Sequence, residues 1–231
     1  MKALIILGII FAGLNSNNLI AEVDKIYHPY VEDDTWEFET RLLSFLDREL
    51  SASFSVYRFG LGKDISDDLF IEFYLIGARD TNQNVEIEAY EVEALYQFTE
   101  QGEYWIDFAL LVEIERERES QEWEGNIGFI FEKEFGKWSA TANFRNKYLY
   151  ENDQRHSWVS SQALQWRYRY SPTIEPGVEI YSANDEIFIG PVLLGEIKLS
   201  RNKLNWEIGI VQELKQSENE SILRGLIEYE F

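Results

Sequence analysis

The chain has 231 residues, enough for one large all-β domain or two small ones. It has no cysteine, which excludes a disulfide framework, a thiolate metal site, a cysteine nucleophile and lipid attachment through an N-terminal cysteine. Its formal net charge of −21 repels nucleic acid, so DNA and RNA are excluded as partners.

The first element is a targeting segment. Lys2 precedes the apolar run 3–14, a basic start followed by a hydrophobic stretch too short to span a bilayer. The polar run 15–18 ends it, and Ala21 offers a small residue for cleavage. Residues 1–21 are therefore expected to be a signal peptide. Residues 22–34, with Pro29 and the acidic Glu32-Asp33-Asp34, break every periodicity and read as a periplasmic lead-in.

From residue 35 onward the pattern alternates with a period of two, broken by short polar turns. It predicts twelve strands: 35–46, 52–62, 69–79, 84–98, 103–117, 121–135, 137–150, 156–170, 174–183, 186–200, 203–214 and 219–231. In the fifth, Phe108, Leu110, Val112 and Ile114 share one face, and Asp107, Glu113 and Glu115 the other. In the seventh, Trp138, Ala140, Ala142 and Phe144 oppose Ser139, Thr141, Asn143, Arg145 and Lys147. Alternation alone also fits a soluble sandwich or an aromatic-rich soluble barrel. Strand length argues for the membrane: several strands reach about 13–15 residues, where a soluble strand has five or six and a bilayer crossing takes roughly 9–11. The even strand number, the short hairpins such as Phe135-Gly136-Lys137 and Arg201-Asn202-Lys203, and the aromatic content of 15% agree. The fold class expected is an all-β, transmembrane, up-and-down antiparallel barrel over 35–231, closed because hydrocarbon cannot satisfy an open strand edge. Nothing marks a second domain, and the barrel is expected to be monomeric.

At the end of the chain Leu223, Gly225, Ile227, Tyr229 and Phe231 alternate, and Phe231 is the last residue. With the signal peptide, this resembles the terminal strand of bacterial outer-membrane β-barrel proteins of the porin-like class. The resemblance implies an outer-membrane location, the lipid bilayer and the barrel-assembly machinery as partners, and a role for Tyr229 and Phe231 as the assembly signal. It assigns no characterised family and no solute.

The face opposite the apolar one is expected to line the lumen. Its candidates are Glu37, Glu39, Arg41, Arg58, Glu72, Glu91, Glu93, Asp107, Glu113, Glu115, Glu124, Glu132, Arg145, Lys147, Arg167, Arg169, Glu179, Glu196, Lys198, Glu207, Arg224, Glu228 and Glu230. Two readings compete. In one, a water-filled passive channel with an acid excess favours cations and admits small cationic or neutral solutes. In the other, internal salt bridges fill a narrow barrel that serves as a scaffold or docking site. With short outer turns expected near 47–51, 80–83, 118–120, 151–155, 184–185 and 215–218, no long loop can fold inward, so any closure must come from wall side chains or from 22–34. Enzymatic activity is not expected. His156 and Ser160 share a face, unlike the neighbouring Ser157, but lie about 13 Å apart at roughly 3.3 Å per residue, beyond hydrogen-bond reach and unlike the outer-membrane phospholipase family. The paired Glu91 and Glu93 are compatible with a calcium site or an acid–base pair, though wet carboxylates are ordinary on a barrel's inner wall. His28 and His156 are too few for a metal centre, and no cofactor motif appears.

Overall fold

The computed structural model describes residues 23–46, 52–80, 85–120, 122–150, 156–184, 186–214 and 221–231. The expected signal peptide 1–21 and the expected turns 47–51, 81–83, 151–155 and 215–218 lie outside these residues.

Alternation is realised as twelve strands: β1 Trp36–Leu46, β2 Ala52–Ser66, β3 Leu69–Asp80, β4 Glu86–Gln97, β5 Asp107–Glu117, β6 Trp123–Phe135, β7 Trp138–Tyr150, β8 His156–Tyr168, β9 Glu175–Ala183, β10 Glu186–Leu199, β11 Asn202–Glu213 and β12 Ser221–Glu230. Each pairs antiparallel with its sequence neighbours, and β12 pairs with β1 to close the barrel. Trp36 and Phe231 bond to each other at one rim, called here the near end. The β1–β2 connection lies at the opposite, far end.

Register carries one face around the wall. Glu37 stands opposite Glu230 and Gly62, Gly62 opposite Glu72, Glu72 opposite Glu93, Glu93 opposite Glu113, and Glu113 opposite Asn126. Since opposed residues share a face, charged side chains that alternate with apolar ones in each strand converge inward. The apolar set faces out and stays exposed, as Val92, Ile114, Ile127, Phe129, Ile208 and Ile227 do. Such a surface would be untenable in water and is stabilised by hydrocarbon. Aromatic rings rim it. At the near end Trp138 packs on Tyr168 at 4.7 Å and Tyr229 on Phe231 at 5.6 Å; at the far end Tyr148 packs on Trp158 at 4.9 Å. From Trp138 to Tyr148, strand rise and tilt give roughly 25 Å, the height of a membrane belt.

Two boundaries differ from the expectation by four residues, the others by two or fewer. β5 starts at Asp107, not 103, because Gly102 takes φ +75° and donates its N–H to the Asp107 carboxylate, while Phe108 N–H bonds Thr99 Oγ1. These local bonds draw residues 98–106 out of the ladder, and the β4–β5 connection is longer than a hairpin. β2 continues to Ser66, through Asp64 opposite Phe70 and Ser66 opposite Leu69. The β6–β7 hairpin is as tight as expected, with Gly136 at φ +65° supplying the left-handed turn position.

Candidate functional site: the lumen

Residues 23–34, expected as a periplasmic lead-in and as one possible source of closure, run inside the barrel from the far half to the near rim. Val23 and Ile26 are buried among Leu43, Phe45, Phe188, Val211 and Ile222, on the far halves of their strands. Further along, Tyr27 donates its N–H to Asn143 Oδ1 at 2.7 Å and accepts from Asn143 Nδ2 at 2.9 Å through its carbonyl. Its hydroxyl donates to Glu93 at 2.7 Å. His28 Nδ1 lies 2.5 Å from Glu132, and Tyr30 donates to Asp107 at 2.9 Å. Val31 N–H bonds Gln97, and Thr35 N–H reaches Asp64 at the near rim. A segment without periodicity can form no ladder, so its backbone polar groups are met by wall side chains.

The same segment completes a buried ion network. Arg41 pairs with Glu39 and, at 2.9 Å, with Asp24. Arg58 reaches Glu91 at 2.8 Å, and Arg145 reaches Glu113 at 2.5 Å. Burial alone would raise the Asp24 carboxyl, but Arg41, Arg58, Arg145 and Arg224 hold it well below the usual carboxylate range. Burial likewise disfavours the Lys25 ammonium, yet Glu39 and Glu228 keep it charged well above the ordinary lysine range. On the opposite wall Arg224 bridges Glu179 and Glu207, and the Tyr181 hydroxyl lies between two acceptors, the Asp24 carbonyl at 2.9 Å and Glu179 at 3.0 Å. Near the mouth Glu132 gathers Arg167, Ser139 and Thr141.

The residues expected to line the lumen fall on the inward face or its near rim. Glu39, Arg41, Glu72, Glu91, Glu93, Asp107, Glu113, Glu132, Glu179, Arg224 and Glu230 are buried. Glu37, Arg58, Glu115, Glu124, Arg145, Lys147, Arg167, Arg169, Glu196, Glu207 and Glu228 are partly accessible, and Lys198 projects from the rim. The bases do not form a wall of their own. Arg58 on β2 reaches past β3 to β4, and Arg145 on β7 past β6 to β5. Tyr74 and Tyr181, both buried, share these networks and were readable, because they alternate in phase with Glu72 and Glu179. Asp24, Lys25, Tyr27 and Tyr30 carried no periodic signal. Two carboxylate groups converge closely enough to suggest a cation, Glu91–Glu93–Glu113 and Glu37–Glu228–Glu230. In the first, Arg58, Arg145, Asn126 and Tyr27 already occupy carboxylate oxygens. Ser160 bonds Asn146 at 2.8 Å on the outward face; the side chain of His156 is outside the described residues.

Between the segment and the near mouth remains a cavity of about 680 Å³. Nine glutamates line it (32, 37, 72, 93, 175, 196, 207, 228 and 230) against five lysines and arginines (25, 167, 169, 198 and 203).

No known family model matches the chain, and no curated protein matches its sequence. Solved structures do share its architecture. The KdgM porin in complex with oligogalacturonate superposes with TM-score 0.60 at 12% identity, over 84% of this chain and 99% of that one. An outer-membrane channel of Pseudomonas putida F1 superposes with TM-score 0.57 at 10% identity, over 85% and 94%. With its closed twelve-strand wall and its girdled apolar exterior, the chain has the fold of these porins, a closed antiparallel β-barrel.

Proposed function

We propose that the chain is a small passive channel that favours cations, and that residues 23–34 hold it shut in the conformation described. The observation that carries this reading is the charge of the cavity, lined by nine glutamates against five lysines and arginines. In a low-dielectric wall such an excess enriches cations and repels anions. Oligogalacturonate, found with the KdgM porin, is a polyanion; the charge here argues for permeants of opposite sign. With the turns near 47–51, 118–120 and 184–185 on the outer side, as expected from the sequence, the near-end cavity opens to the periplasm.

The second reading, a salt-bridge-filled scaffold or docking barrel, is favoured by the occupied far half, where Val23 and Ile26 sit in an apolar cluster. One experiment separates the two. Purified full-length protein and a variant lacking residues 23–34 are placed in planar bilayers, with heat-dependent gel mobility used to verify folding. The channel reading expects rare or no openings from the first and regular small steps from the second. A folded variant that stays silent supports the scaffold.

A further inference from the structure

We propose that the near-mouth cavity is a binding site for small primary-ammonium cations, seated beside Lys25 on the carboxylates of Glu37 and Glu72. The proposal rests on the cation-favouring reading above and names its ligand class. Lys25 itself shows what the wall accepts. Its ammonium, at the end of a four-carbon stem, lies 2.6 Å from Glu39 and 3.1 Å from Glu228, with the Tyr27 ring 5.5 Å away. Around it the acids are in excess, and two carboxylate oxygens are left over. Glu37 Oε1 and Glu72 Oε1 are both buried without a hydrogen-bond partner among the described residues, and both side chains line the cavity.

Glu72 is 1% exposed, so an idle oxygen there is costly. Its Oε1 is laid across β2 above Gly60, where any Cβ would collide with it, and Gly60 stands opposite Glu39 on β1. The glycine is what lets the carboxylate cross toward the Lys25 pocket. Glu37 approaches from the other side, its carboxylate close to those of Glu228 and Glu230. A metal ion fits this cluster poorly. Asn205 Nδ2 already donates to Glu228 and Glu230 at 2.7 Å each, and Lys203 holds Glu230 at 2.9 Å, so two of the three carboxylates are engaged. An ammonium needs only acceptors in several directions and an apolar wall for its alkyl chain. Leu95, Leu194 and Leu226 supply that wall, and 680 Å³ holds a short alkylamine with room to spare.

The test uses full-length protein in detergent with 1,4-diaminobutane as the probe. The expected result is a saturable rise in thermal midpoint that tetramethylammonium, sodium and calcium salts at equal ionic strength do not reproduce, because they lack N–H donors. The Glu37→Gln/Glu72→Gln double variant should lose at least tenfold in probe affinity by isothermal titration. In Lys25→Ala, n-butylamine should restore part of the lost thermal midpoint, a readout that survives if the double variant does not fold. Equal effects of diaminobutane and tetramethylammonium, or a shift given by calcium alone, would overturn the proposal. Cation selectivity of the variant lacking 23–34, measured separately, would then still stand; anion selectivity there would remove the cation-favouring reading on its own account.

Discussion

Arg224 illustrates how the inner wall distributes its energetics. Only 4% exposed, it bonds Glu179 at 3.0 Å and also holds Glu207. Arg224→Ala strands two carboxylates in the wall, and unfolding in urea should show a loss of about 3–5 kcal/mol. Lys198, whose side chain is 79% exposed, should change stability by no more than about 0.5 kcal/mol when cut to alanine. Asp24 gives a prediction with a sign. Its carboxyl is held well below the ordinary aspartate range, by the arginines that outweigh its burial. Its contribution is therefore complete above the unfolded-state value and is lost only as pH falls through the lowered one. Asp24→Asn should cost about 1–3 kcal/mol, and the difference from the native chain should be flat from pH 5 to 8. A difference that collapses within that window would show that Asp24 is not held by the arginines. At this scale the sequence told which face a side chain takes: Glu39, Glu93 and Arg145 follow directly from alternation. It did not tell their partners. Pairings such as Arg58 with Glu91 leap a strand, and only the closed wall brings them within reach.

Strands were the most legible elements, because a period of two kept over ten or more residues has few other solutions. The boundaries slipped where side chains compete for the backbone, as Asp107 and Thr99 do at the start of β5. Residues 23–34 were illegible for a different reason. Their burial depends on a cavity that exists only after twelve strands have closed, and nothing local encodes it. Short turns leave this stretch and the wall side chains as the two possible sources of closure; its path through the lumen is set by the closed wall. The outward face of β6 offers an element-scale prediction. Phe129 lies mid-strand, 43% exposed, opposite Leu110 and Phe144. Phe129→Lys should destabilise the barrel in vesicles by about 2–4 kcal/mol, the cost of a cation at the bilayer midplane. Little or no loss would mean that this face does not meet hydrocarbon.

For the whole molecule, the proposed channel joins an acid-rich lumen to a stopper formed by residues 23–34. Screening acts over about 8–10 Å at physiological salt, comparable with the radius of so small a barrel, so selectivity by wall charge should be visible in dilute salt and fade in concentrated salt. The measurement that tests this most directly is the reversal potential of the variant lacking residues 23–34 across a bilayer with a tenfold potassium chloride gradient. The account predicts a reversal potential of the sign that marks potassium as the faster ion, shrinking as both solutions are concentrated, and weakened when Glu91, Glu93, Glu113 and Glu115 are replaced by glutamine. A reversal potential of zero or of the opposite sign in dilute salt, from a folded and conducting barrel, would contradict it.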